Sequence, residues 1–278
     1  MSSTIPPLPA EAIKKLLPET YHQSFIQKGV RPDGRGFQDF RPTAVHYGAI
    51  TSADGSALVR LGGTTVVCGI KAEVAVPEPT QPTQGYFTPN VELGPMCSAR
   101  FKPGAPSETA QVLSQQLNTL SLGVLDRDDL CIEPGQAVWA LYADVLCLNY
   151  DGGALDACQL AVTAALRNLR LGKATFNEEE GAVRANARES QGVPIKAQVY
   201  TSTFGVLESG QCLADPSEAE GSLVRSTVSV SVSDQGRLVA VWKQGGQGCD
   251  VALIRACLDQ AQERRAILES LLAPEASS

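Results

Sequence analysis

Apolar residues change their period several times along this chain, and each change marks an element. Ile13, Leu16 and Leu17 recur at i, i+3 and i+4 before Pro18, predicting one short amphipathic helix behind an extended leader with Pro6, Pro7 and Pro9. From Arg41 the pattern is strand-like. Thr43–Ile50, Ser56–Leu61 and Thr64–Ala75 are β-rich runs separated by Asp54-Gly55 and Gly62-Gly63, the spacing of a meander with tight turns. Residues 76–90, with Pro77, Pro79, Pro82, Gly85 and Pro89, read as a loop.

Ser107 and Glu108 supply capping chemistry for a helix whose apolar stripe is Val112, Leu113, Leu117 and Leu120. Ala137–Leu148 is a nearly continuous apolar run, which predicts a strand buried on both faces. Asp151-Gly152-Gly153 then opens a second helix with Leu155, Val162, Leu166 and Leu169 inside and Arg167 and Arg170 outside, stopped by Gly172.

Strands followed by helices then recur in shorter form. Ala197–Val206 is a strand candidate, and Thr227–Ser233 alternates strictly between apolar and hydroxyl side chains, predicting a half-buried strand. Asp234-Gln235-Gly236 turns it into a hairpin partner at Leu238–Trp242. Ile254, Cys257, Leu258, Ala261, Ile267, Leu268, Leu271 and Leu272 mark a long closing helix. The expected class is α+β, with two pseudo-equivalent strand-then-helix halves: an arm at 1–28, a first half at 29–172 and a second at 173–278.

The chain has 278 residues and a formal charge of −7, which argues against an autonomous nucleic-acid binder. The charge is uneven. Residues 1–125 hold 10 basic and 9 acidic side chains, whereas 126–278 hold 13 and 21. An anion-binding surface is therefore expected on the first half. Eight cysteines without a C-x-x-C, and only two histidines, exclude zinc ribbons and fingers. Cysteines in apolar runs, such as Cys68 and Cys147, read as reduced, buried thiols. Neither a signal peptide nor a membrane span is expected: residues 1–10 lack a basic and an apolar region, and Asp144 interrupts the longest apolar stretch. An intracellular soluble protein is the expectation.

Little supports nucleophilic or nucleotide-loop chemistry. There is no G-x-S-x-G, and Gly245-Gly246-Gln247-Gly248 lacks the third dinucleotide-binding glycine. That cluster reads as a turn, although it leads into a helix N-terminus where backbone N–H groups can meet a phosphate. Asp215, Glu218 and Glu220 suit either magnesium or acid/base work, or else a solvated acidic loop. Arg100 and Lys102 flank Phe101 in a Gly/Pro-rich loop, which is either a phosphate contact with an aromatic neighbour or an ordinary loop.

Two stretches carry a family pattern. Arg31-Pro32-Asp33-Gly34-Arg35, followed by Gly55 to Val66 with its Arg60-Leu61-Gly62-Gly63-Thr64-Thr65, resembles the opening of the RNase PH family. Lys71-Ala72-Glu73, Asp151-Gly152-Gly153 and Asp215-Pro216 continue the resemblance, which runs from about Gly29 to Leu272. Cys97 to Gly104, Asp129 to Gly135 and Asp151 to Ala157 are most similar to eukaryotic RNA exosome ring subunits.

The resemblance implies an RNase PH-like fold. Active members phosphorolyse RNA 3′ ends and hold inorganic phosphate with an arginine at the position of Leu155, beside which Asp156 adds negative charge. Their catalytic aspartates precede the alternating strand, where this chain has Arg225-Ser226 at the second place and Glu220 near the first. The expectation is a catalytically inactive subunit with no catalytic residue, metal or cofactor. Its partners would be other RNase PH-like ring subunits, cap subunits and RNA in the channel, with Arg100 and Lys102 as RNA contacts. The alternative is an active phosphorolytic 3′–5′ exoribonuclease. Exosome rings work in RNA processing and degradation, ribosomal RNA included. They occur in the nucleus, the nucleolus and the cytoplasm, so the resemblance implies the same for this chain.

Overall fold

The computed structural model describes residues 16–177, 182–246 and 248–272. The proline leader and Ile13 lie outside them. The short helix predicted before Pro18 falls mostly outside the described residues, and a separate helix, α1 (Pro18–Ile26), follows it. A proline in the first turn sacrifices an N–H that has no helical acceptor anyway.

The first sheet contains β1 (Thr43–Tyr47), β2 (Gly55–Leu61), β3 (Thr64–Ala75), β4 (Tyr86–Glu92), β5 (Cys131–Glu133) and β6 (Ala137–Asn149). Its order is β1-β2-β3-β6-β4, with β5 added to β6. The first three strands form the expected meander. The loop expected over 76–90 gives way at Tyr86 to β4, which pairs parallel with β6. Pro89 is tolerated because β4 is an edge strand, where a missing N–H breaks no ladder bond. The Val91 N–H is capped by Ser114 Oγ at 2.9 Å.

Helices α2 (Glu108–Ser121) and α3 (Ala154–Asn168) follow. Ser107 caps α2 by accepting from Ala110 N, as its sequence position suggests. Leu113, Leu117 and Leu120 are buried, but Val112 is exposed. α3 is buried along nearly all its length. It sits so close to β2 that a Cβ at Gly55 would lie 2.7 Å from the Ala165 carbonyl oxygen. β6 is not buried on both faces. Leu141, Ala143, Val145 and Cys147 face the core, while Tyr142 and Asp144 are exposed. A continuous apolar run does not by itself distinguish one covered face from two.

α3 ends at Asn168, ahead of Gly172, and Arg170 starts a strand. The ribbon of β7 (Arg170–Asn177) and β8 (Ala182–Gly192) separates the two sheets in sequence. The second sheet holds β9 (Val199–Leu207), β10 (Cys212–Ala214), β11 (Val224–Ser233) and β12 (Leu238–Gly245), in the order β10-β9-β11-β12. α4 (Val251–Leu272) closes the fold.

β11 departs from the half-buried expectation. Val228, Val230 and Val232 are buried, and so are Ser229, Ser231 and Ser233. The hydroxyl face tolerates burial because it is internally paired: Ser231 with Thr201 at 2.8 Å and Ser229 with Thr203 at 3.0 Å. Of the eight cysteines, all free, five are buried and act as small core side chains. Burial pushes the Cys68 and Cys158 thiols well above their usual range.

Candidate functional site: a cleft braced by buried arginines

Three arginines, Arg31, Arg41 and Arg264, turn inward. Arg31 reaches across 189 residues, its Nε donating to Glu220 Oε1 at 2.8 Å. Its two terminal nitrogens donate to the carbonyls of Ala214 and Asp215 at 2.7 and 3.0 Å. Arg41 grips Asp215 bidentately at 2.8 and 2.7 Å, and its third nitrogen meets Asp151 Oδ2 at 3.1 Å. Arg264 of α4 donates to Asp156 at 2.8 Å while its guanidinium lies 4.1 Å above the Phe40 ring. These pairs tie the segment before β1, the head of α3, the turn after β10 and α4 into one buried network.

The network overturns two sequence expectations. Asp215 and Glu220 form neither a solvated acidic loop nor an open carboxylate pair: both are buried and spent on arginine. Burial alone pushes the Asp215 carboxyl up, but the Arg41 guanidinium outweighs it and holds the group below the usual carboxylate range. Glu220 behaves alike, with Arg31 and the Ser217 amide prevailing over burial. Asp156 does not project toward an incoming phosphate. It is buried, accepting from Thr203 N at 2.9 Å and Thr203 Oγ1 at 2.6 Å as well as from Arg264. Complete burial pushes its carboxyl up, against the opposing pull of Arg264 and Thr203.

Between the sheets, at the head of α3, lies a cleft of about 500 Å³. The turn that opens it is fixed by Thr64, whose hydroxyl donates to Gly152 O at 2.6 Å and accepts from Asp151 N at 2.9 Å. Gly152 has φ 76°, and a Cβ there would stand 2.5 Å from the Pro216 carbonyl oxygen. Only glycine lets the 216–218 segment seat against this turn. Leu155 and Leu113 give the cleft an apolar floor, and the Gln116 amide faces it from a side chain only 8% exposed.

Arg100 is the one Lys or Arg among the described residues that line the cleft. It lies 5.8 Å from the Phe101 ring centroid, 5.9 Å from that of Tyr150 and 3.9 Å from Glu218 Oε1. Lys102 is exposed on the same loop, outside the cleft lining. Thus Arg100, Leu155 and Glu218 line one cavity. Arg225 is exposed and pairs with Glu208 at 3.5 Å, while Ser226 is buried. Among the described residues no group of three or more His, Cys, Asp or Glu side chains can hold a metal ion, and no helix is long and apolar enough to cross a membrane. Sequence reasoning missed Arg41, Arg264 and Gln116, and it named Glu218 only as one of an acidic trio. Only the Arg41-Pro42 step just before β1 offered any signal.

Two unequal sheets, a helix headed by Asp-Gly-Gly and a cleft between them define an RNase PH-like protein. Family comparison agrees, with "3' exoribonuclease family, domain 1" matching residues 39–171 and domain 2 matching 197–264. The chain belongs to the 3′ exoribonuclease family, the one its motifs resembled. Among its relatives, the exosome complex component rrp43 of Schizosaccharomyces pombe is 36% identical over 253 residues, 90% of this chain and 93% of that protein. The exosome complex component Rrp42 of Pyrococcus abyssi is 34% identical over 256 residues, covering 89% and 92% respectively. A solved Archaeoglobus fulgidus exosome with RNA bound to the active site superposes with a TM-score of 0.82 at 31% identity, over 91% of this chain and 96% of the other.

Proposed function

We propose that this chain is a catalytically silent subunit of an RNA exosome core ring, contributing neighbour contacts and part of the RNA channel wall. Likeness to exosome components over nine-tenths of the chain supports the ring role. One observation carries the silence. Leu155, 6% exposed, lines the cleft at the position where the family resemblance implies a phosphate-holding arginine. An apolar side chain there cannot stabilise a phosphate nucleophile or the charge that builds on it. Arg225-Ser226, standing where the second catalytic carboxylate is expected, supports the same reading. Asp215 and Glu220 cannot substitute, being already committed to arginine.

Incubating the purified chain with oligoadenylate and inorganic phosphate should release no nucleoside diphosphate. Release would overturn the proposal in favour of an active phosphorolytic 3′–5′ exoribonuclease. Arg100 and Lys102 are proposed as contacts to the RNA backbone. Reversing both charges should weaken oligoadenylate binding by the assembled ring, and unchanged affinity would remove them. Residence in the nucleus, nucleolus and cytoplasm belongs to the same proposal and is supported by the resemblance alone. A tagged chain confined to one compartment would narrow it.

A further inference from the structure

Glu218 is the one member of the acidic trio after β10 that no arginine buries. Its backbone is nonetheless held firmly: the Glu218 N–H donates to Asp151 Oδ1 at 3.3 Å, and Asp151 is itself held by Arg41. Gly152, without a Cβ, lets residues 216–218 lie directly against the head of α3. The result is a carboxylate presented from the second sheet's side of the cleft to Arg100 on the first. Arg100 is kept within reach by the flanking rings of Phe101 and Tyr150. The Arg100–Glu218 ion pair, 3.9 Å long, joins two residues that line the cleft.

We propose that Glu218 gates Arg100, occupying its guanidinium as an intramolecular stand-in for an RNA phosphate until the RNA backbone displaces it. The inference rests on the reading of Arg100 as an RNA contact and adds a device that sets how readily that contact forms. The pair suits the role because it is weak. Both side chains are partly exposed, Arg100 at 56% and Glu218 at 36%, and an exposed pair costs little to break. A backbone phosphodiester matches the carboxylate with two charged oxygens and adds the stacking surface of its nucleotide, next to rings already in place. Meanwhile Glu218 keeps Arg100 from holding unselected anions, because any of them must first break the pair.

The test is a double-mutant cycle on the ring assembled with its partner subunits, using single-stranded oligoadenylate and measuring Kd at low and high salt. Glu218→Gln should tighten binding by about two- to five-fold at low salt, with the gain shrinking as salt screens the pair. Arg100→Gln should weaken binding, and in that background Glu218→Gln should change nothing further. If Arg100→Gln leaves Kd unchanged, Arg100 is not an RNA contact, and the gate falls with it. If Arg100→Gln weakens binding but Glu218→Gln matches the wild type, the contact stands and the gate alone falls. If Glu218→Gln tightens binding equally without Arg100, Glu218 is merely a repulsive charge on the RNA path, and the gate is again overturned.

Discussion

At the scale of single residues, Arg31, Arg41 and Arg264 do structural work, each buried against a carboxylate. Asp215 shows why they are needed. It is the one non-glycine residue with positive φ among those described, at 46°, in a conformation that costs energy unless its surroundings impose it. Arg41 does so by holding both carboxylate oxygens, while Arg31 and Arg35 bind the carbonyl. Breaking one side leaves a buried charge alone, so Asp215→Asn should lose about 3–5 kcal/mol of stability at neutral pH. The pH dependence follows from the direction of each shift. Asp215 and Glu220 titrate below their ordinary values when folded, so the stability they confer is complete above about pH 4–5 and is lost as pH falls through their lowered values. Asp156, shifted upward, acts oppositely: it favours the fold in acid, and that share fades as pH rises through its raised value. Urea titrations from about pH 3 to pH 7 should show a steep acid loss in the wild type and a shallower one in Asp215→Asn.

Elements show where periodicity informs and where it stops. The alternation of β11 was legible as a strand, but alternation cannot reveal that the hydroxyl face is buried too, because the Thr201 and Thr203 partners belong to another strand. β4 was hidden by Pro89, which argues against a strand unless one knows it is an edge. The β7–β8 ribbon was hidden because Ala182–Gly192 is polar, without regular alternation. The hydroxyl ladder yields a quantitative expectation. Ser231→Ala orphans the buried Thr201 hydroxyl and should cost about 1–3 kcal/mol. Adding Thr201→Val removes the orphan and should recover most of that loss in denaturant unfolding. A double variant as unstable as the sum of two losses would show that the hydroxyls do not act as a pair.

Taken whole, the molecule carries its net charge of −7 mainly in residues 126–278, where three of the acidic side chains are turned inward. Asp156, Asp215 and Glu220 each face a buried arginine and add little to the outer field. The exposed cations Arg100 and Lys102 sit on the near-neutral first part. A chain so charged gains RNA affinity when neighbours supply positive potential, which suits a ring member. Co-expressed with five RNase PH-like partners, it should elute as a ring, and a chain that stays monomeric among them is not a ring subunit. The fold class, the cleft turn, Leu155 and Arg100 could all be read from local motifs. The bracing network could not, since Arg41 finds Asp215 across 174 residues and Arg264 finds Asp156 across 108. Pairing over such spans is a property of tertiary packing, to which no single-chain periodicity points.

Those long reaches also govern how the chain is made. Arg31 leaves the ribosome 189 residues ahead of Glu220, an interval of about 10–40 s at ordinary synthesis rates. Throughout that time the guanidinium destined for burial has no acid to meet, and a finished first sheet would have to enclose a bare cation. Docking of the segment before β1 therefore cannot be completed until the turn after β10 has been synthesised. Until then the opening segment has no Glu220 to dock against. In that interval chaperones or waiting ring partners have most to offer, and translation pausing before residue 220 would lengthen the exposure.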